Sequence, residues 1–429
     1  MTILFLSPTA LIGGAETVLL DIMAGIKNVQ PEWRLVLVVG ESNGPIIDRA
    51  QEIGAEVKVI QLPVGIARIG DASAGGPAGS EKSRRLVMGR MLSAVPQVLT
   101  YTWRLRKFIS GLAPEMIHSN GFKMHVLGAL AKPSKTPLIW HIHDFVSSRR
   151  IVTTILTLLA GRCRMAVANS KSVAADFSRR FGLHTPVRPV LNGVDLNRFQ
   201  ANGDKLDLDR LAGLEPAPSG TVRVGLLGTF ARWKGQRLFL EALSLLSSIL
   251  PPSLKMRAYI IGDALYKTDN SQFSRAELEE YARSLKLDRE VGFTGFVFDP
   301  AAAMRTLDVV VHASTAPEPF GMVIAEAMAT GCAVIVSRAG GAAEISRDGV
   351  DSLQFTPGSA QGLASVIERL VRDAGLRQRL GREGRRIAEQ KFSRERMTDD
   401  LIEIYQTMAV GGTGVPPVNH GQDAHATPS

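Results

Sequence analysis

What this chain has little of narrows its class before any motif is read. Cysteine occurs twice in 429 residues, at Cys163 and Cys332, so a disulfide framework is excluded and neither thiol has a partner at metal-ligand spacing. No uninterrupted apolar run approaches the ~20 residues of a membrane-spanning helix. The opening stretch MTILFLSPTA lacks the charged start of a signal peptide, and a cytoplasmic protein is expected. With 45% hydrophobic and 21% charged residues, the composition excludes a disordered chain or a fibre. At roughly 100–200 residues per domain, two or three domains are expected.

Acid is what the first half lacks. Residues 1–200 carry 24 lysines and arginines against 13 acids, whereas residues 201–429 carry 26 against 28. The excess therefore belongs to one half, which should face something anionic: nucleic acid, anionic lipid or a phosphorylated acceptor. Within residues 82–114, Lys82, Arg84, Arg85, Arg90, Arg104, Arg106 and Lys107 occur with no acid at all. Leu86, Met91, Val95, Leu99 and Trp103 interleave with them at helical spacing. That is the pattern of an interfacial helix over 82–110 lying on an anionic membrane, or of an ordinary packed helix, and Pro96 should break it in two.

Strand-length apolar runs alternate with helix-period segments throughout, the pattern of an α/β protein with parallel sheets. The first half offers Ile3–Leu6, Leu35–Val39, Val57–Gln61, Met116–His118, Leu138–Ile142 and Met165–Ala168. The second offers Val222–Leu227, Met256–Ile261, Val291–Phe293, Val309–Val311, Ala333–Val336 and Leu353–Phe355. Two sheets of about six strands imply two Rossmann-like domains, 1–193 and 221–392, with a linker over 194–220. Helices are expected over Leu376–Lys391 and Ser393–Met408, the latter (393–409) crossing a domain junction. Pro63–Gly79 reads as a mobile loop, and 410–429 as a tail too poor in apolar residues to fold.

Three segments carry chemistry. In Glu318-Pro-Phe-Gly-Met-Val-Ile-Ala-Glu326 a turn opens a helix, so the amides of Gly321, Met322 and Val323 and the positive helix end form an anion site. Glu326, deeper in that helix among Ile324, Ala325, Ala327 and Met328 with no cation nearby, is suited to accept hydrogen bonds from ribose hydroxyls. Gly228-Thr-Phe-Ala-Arg-Trp-Lys-Gly235 joins a strand to a helix and offers Arg232 and Lys234 to a diphosphate. Gly13-Gly-Ala-Glu16 allows close approach of a ligand to the backbone.

Together with Gly340-Gly-Ala-Ala-Glu344, Lys234-Gly-Gln236 and Leu191-Asn-Gly-Val-Asp195, these ordered segments resemble the GT4 family of retaining glycosyltransferases, GT-B in fold. The resemblance runs from Ile3 to about Met408. It implies two facing Rossmann-like domains, the first binding the acceptor and the second a nucleotide sugar, with the last helix returning to the first domain. It assigns Glu318 to the transferred sugar and Glu326 to the ribose. It places Phe320 and Gly14 at the donor, and the amides of Gly321 to Val323 with the Lys234 side chain at the diphosphate. His143 resembles the active-site histidine, and His118 is a weaker match. The family shows Gly-Arg where this chain has Gly228-Thr229, and Arg232 is expected to substitute.

A UDP- or GDP-sugar donor, a glycan or lipid-linked acceptor, no nucleic-acid partner and no metal or other cofactor follow from the resemblance. Asp207-Leu-Asp209, the chain's D-x-D, is expected at the linker surface. Two other readings stand beside transfer: a nucleotide-sugar epimerase, which needs no acceptor site, and a non-catalytic nucleotide-sugar-binding protein.

Overall fold

Side chains alternate across a strand, and here the inner strands bury both faces. In β1 (Thr2–Ser7), Ile3 and Phe5 join one core while Leu4 and Leu6 join another. A sheet covered on both faces is what the near-continuous Val, Ile and Leu runs require. The computed structural model describes residues 1–67, 81–251, 253–264, 271–287 and 290–409, with only the backbone path over 81–94.

The remaining strands of the first sheet are β2 (Arg34–Val39), β3 (Glu56–Val59), β4 (Met116–Asn120), β5 (Leu138–Ile142), β6 (Met165–Ala168) and β7 (Val187–Pro189). The second sheet holds β8 (Val222–Leu227), β9 (Met256–Ile261), β10 (Val291–Gly295), β11 (Val309–His312), β12 (Ala333–Ser337) and β13 (Leu353–Phe355). The orders are β3-β2-β1-β4-β5-β6-β7 and β10-β9-β8-β11-β12-β13, with every named pairing parallel. These are two Rossmann-like α/β domains, as the alternation implies. β7 is the one strand the sequence reading lacks, because three residues ending in proline carry no periodicity.

The chain crosses between domains twice, and the crossings lie side by side. Val194 N donates to Phe392 O at 2.7 Å, and Arg394 N to Val194 O at 3.2 Å. A Cβ at Gly193 would come within 2.7 Å of Arg394 Cα, so only glycine lets the two passes touch. Helix Ala374–Lys391 leads to the second crossing. Helix Arg394–Ala409 then buries Met397, Leu401, Ile404 and Tyr405 in the first domain's core.

Three expectations need correction. Pro96 does not divide the basic segment, because Glu81–Leu112 is one helix with the proline inside it. Pro96 lies on the exposed flank, where the carbonyl it deprives of a partner can be hydrated instead. Pro63–Gly79 begins with a helical turn, Val64–Ala67; residues 68–80, like 410–429, lie outside the described residues. The D-x-D is not a surface pair. Asp209 is buried and holds Arg223 (3.3 Å), Arg257 (2.9 Å) and the Tyr259 hydroxyl (2.7 Å), while Asp207 caps helix Leu208–Leu211. Among the described residues, no helix is long and apolar enough to cross a membrane.

Candidate active site

The second domain builds its part of the site from two loops pressed together. Gly235 has φ +85, and a Cβ there would meet the Ala313 carbonyl at 2.0 Å. The loop after β8 therefore lies directly on the loop after β11, tied to it by Thr315 N donating to Trp233 O at 2.8 Å. This contact carries Lys234 to Glu318, with Nζ 2.5 Å from Oε1. The other carboxylate oxygen accepts from His312 Nε2 at 2.6 Å and Ser314 Oγ at 2.8 Å. Burial alone would raise the Glu318 carboxyl, but the Lys234 ammonium and His312 outweigh it and hold the group well below the usual carboxylate range.

Gly340 and Gly341 fix the turn that follows. Gly341 N donates to Glu318 O at 2.7 Å, and a Cβ at Gly341 would meet Pro319 O at 2.0 Å. Phe320 turns inward against Phe392, with ring centroids 6.1 Å apart and only 2% of its surface exposed. Gly321 then takes φ +96 and caps helix Met322–Thr330. The first amides and the positive end of that helix open beside the Lys234–Glu318 pair. Met322 packs on the cores of both domains, and Asn192 Nδ2 lies 3.6 Å from its sulfur, which places the helix start at the interdomain junction.

Glu326, a turn deeper, faces the same junction. Burial pushes its carboxyl up to about 7, Arg198 lowers it, and Asp21 of the first domain raises it further. A cation is thus within electrostatic reach, contrary to the sequence reading; Arg198 comes from the linker, which sequence distance hides.

The first domain contributes histidines from the carboxyl ends of β4 and β5. His143 Nε2 lies 2.6 Å from Asn120 Oδ1, and its ring sits 4.0 Å from that of His141. His118 is wholly buried between the Tyr405 hydroxyl (2.6 Å from Nδ1) and His141 Nδ1 (3.1 Å from Nε2). Burial keeps these rings neutral, driving His143 down to about 4 and His118 to about 3. The domains also meet where Glu344 accepts from Lys171 N at 2.8 Å and from the Ser172 hydroxyl, at the start of helix Lys171–Phe181.

Residues 12–198 match the family Glycosyltransferase Family 4, and residues 215–387 match Glycosyl transferases group 1. HepE from Anabaena, solved in complex with UDP, superposes with a TM-score of 0.73 at 26% identity over 95% of this chain and 100% of its own. The chain belongs to the GT-B glycosyltransferases. Among curated relatives of this GT-B enzyme family, it is 30% identical over 209 residues to the lipopolysaccharide core biosynthesis glycosyltransferase LpsE of Rhizobium meliloti, covering 49% of this chain and 56% of LpsE. It is 26% identical over 216 residues to the capsular polysaccharide biosynthesis glycosyltransferase CapM of Staphylococcus aureus, covering 50% of this chain and 53% of CapM. The chain thus spans a little more than half the length of these two relatives.

Within this GT-B architecture the structure joins Lys234, Glu318 and the Gly321–Met322–Val323 helix start, and sets Glu326 a turn behind them. Gly14 begins helix Gly14–Val29 with open space where a Cβ would stand, so a ligand can approach its backbone. Two residues differ from expectation. Phe320 is a core anchor rather than a donor contact, because its ring is spent on packing. Arg232 lies over the Phe273 ring at 4.4 Å and pairs with Glu277 at 3.4 Å, contacts that turn it towards helix Arg275–Ser284. His312, Ser314 and Asn120 are the functional neighbours that sequence reasoning missed. For the first two a signal exists: His312 and Ser314 fall on one face at a strand end, just ahead of Glu318.

Proposed function

We propose that this protein transfers a sugar, with retention, from a nucleoside-diphosphate sugar to a hydroxyl of a glycan or lipid-linked intermediate of cell-surface polysaccharide synthesis. The observation that carries this reading is the Lys234–Glu318–His312 cluster set beside the Met322 helix start. As the bond from the sugar's anomeric carbon to the phosphate oxygen breaks, negative charge grows on the diphosphate, and an aligned helix end with a fixed cation stabilises it. The acceptor oxygen bonds to that carbon on the face the phosphate leaves, and its proton passes to the departing phosphate. His143 stands on the opposite domain, where the acceptor would bind. A UDP-sugar is the favoured donor because HepE binds UDP and UDP-glucose, with a GDP-sugar second. The acceptor class follows from the roles of LpsE and CapM.

The reading includes no metal. Asp209 is committed to Arg223, Arg257 and Tyr259, so the D-x-D cannot offer a pair of carboxylates to a metal. It also includes peripheral attachment to the inner face of the membrane. On helix Glu81–Leu112, Val95, Leu99 and Trp103 follow one another at four-residue intervals and are 46%, 66% and 63% exposed. Beside them Lys58, Arg104 and Lys107 line a groove of about 760 Å³. An exposed apolar stripe rimmed by cations suits an anionic leaflet.

The deciding experiment incubates the purified protein with a panel of UDP- and GDP-sugars, with and without polysaccharide-lipid acceptors, and follows the released nucleotide. Release of one nucleoside diphosphate with the anomer retained in product, undiminished by EDTA, is expected. Exchange at C2 of the sugar without release indicates an epimerase, and tight binding without turnover a binding protein; either overturns transfer. Co-sedimentation should favour anionic over neutral vesicles, and Trp103→Ala with Lys107→Gln should abolish the difference.

A further inference from the structure

We propose that Asn120 is a positioning residue for His143: its amide oxygen holds the ring as the Nε2–H tautomer, so that Nδ1 meets a substrate hydroxyl as a bare lone pair. The inference rests on the transfer reading only for the hydroxyl; the tautomer is argued from the apoprotein.

Asn120 ends β4 opposite His141 in the parallel ladder, and His143 lies two residues beyond His141, on the same side of the chain. That register brings Asn120 Oδ1 to 2.6 Å from His143 Nε2. An amide's oxygen and nitrogen are assigned from their partners, and here the partner is decisive. The other end of the Asn120 amide faces the Ala15 carbonyl at 3.5 Å. Only the NH₂ group can face a carbonyl, so the oxygen faces the ring. An amide oxygen accepts and never donates; the proton must therefore sit on Nε2, and Nδ1 carries the lone pair.

The backbone of His143 is held as well, since Asn169 Nδ2 donates to its carbonyl at 3.3 Å. The titratable groups around the ring are His141, tilted against it at 4.0 Å, with His118 and His125 behind it, and all are kept neutral by burial. Asp144, next in the chain, is occupied by Phe145 N at 2.9 Å and Arg149 at 3.2 Å. Among the described residues, no anion in direct contact favours a second proton on His143. Its role towards substrate is then to accept a hydrogen bond and orient a hydroxyl, with no proton of its own at Nδ1 to give.

The test uses the full chain labelled with ¹⁵N-histidine. Long-range ¹H–¹⁵N spectra should show, for the ring whose signals vanish in His143→Gln, a protonated Nε2 and an unprotonated Nδ1. Asn120→Ala should mix the tautomers and lower kcat/KM about 10-fold. Asn120→Asp, which keeps the shape, sets a carboxylate against Nε2–H and should favour the imidazolium. Its acid limb of kcat/KM should move up by one to three pH units relative to wild type. A wild-type ring protonated at Nδ1, or an Asn120→Asp profile superimposable on wild type, overturns the proposal. If no donor sugar is turned over, the transfer reading fails, and the spectra still decide the tautomer.

Discussion

Single side chains divide into those that anchor charge and those that resist it. Lys234→Ala strips a buried carboxylate of its cation, and a loss of about 2–4 kcal/mol in urea unfolding is expected. The same change should weaken nucleoside diphosphate binding far more than nucleoside monophosphate binding in calorimetry, because in the proposed transfer the ammonium meets the distal phosphate. Glu318→Gln should lower kcat by roughly 10- to 150-fold, the worth of a charge-assisted hydrogen bond of about 1.5–3 kcal/mol. Glu326 behaves in the opposite sense. Its carboxyl titrates near 7 in the folded chain and near 4.5 when unfolded, so the native state holds the extra proton between those values. The contribution of Glu326 to stability is therefore greatest below pH 4.5 and falls as pH rises to 7. Glu326→Gln should stabilise the protein by about 1–3 kcal/mol at pH 8 and by much less at pH 5, while raising the donor KM. Equal stabilisation at both pH values would falsify the assignment.

At the scale of the element, the glycine that starts the Met322 helix is the point of greatest sensitivity. Gly321 has φ +96, and a Cβ there would come within 2.8 Å of Ile324 Cδ1, so Gly321→Ala must shift the first turn and the amides it presents. A loss of about 1–3 kcal/mol with a larger loss of turnover is expected, read by thermal melts and donor kinetics. Pro96 offers the reverse case: Pro96→Ala should restore a helical hydrogen bond on an exposed flank and raise Tm with turnover unchanged. These elements also show what the sequence can reveal. Twelve strands are legible because they contain strand-length apolar runs that alternate with helix-period segments, whereas β7 (Val-Arg-Pro) has no such run. Glu318, Lys234 and Glu326 are legible because a helix start and its acids occupy fixed offsets. Asn120 is not, since an asparagine at a strand end looks the same whether it packs or holds a partner, and His312 shows only that it shares a face with Ser314, not what it holds. Their roles come from contacts with Glu318 and His143 that only the folded sheets create. Arg232 fails for the same reason: Phe273 and Glu277, some forty residues on, decide where it points.

At the scale of the molecule, Glu344 tethers the second domain to the first at the start of helix Lys171–Phe181, a second junction besides the paired crossings. Removing it with Glu344→Ala should loosen the approach of the domains; a larger radius of gyration by X-ray scattering is expected, with a raised donor KM. The paired crossings have their own consequence, which concerns synthesis rather than catalysis. Residues 394–409 complete the core beneath β1, beside Ile22, Met23 and Ile26, yet they are made only after the whole second domain. The N-terminal of the two domains is therefore finished after the other. While the second domain is being made, the surface that will receive Met397, Leu401 and Tyr405 stays bare and available to chaperones, and a ribosome that stalls before residue 394 yields a nascent chain with neither a closed first domain nor a hinge.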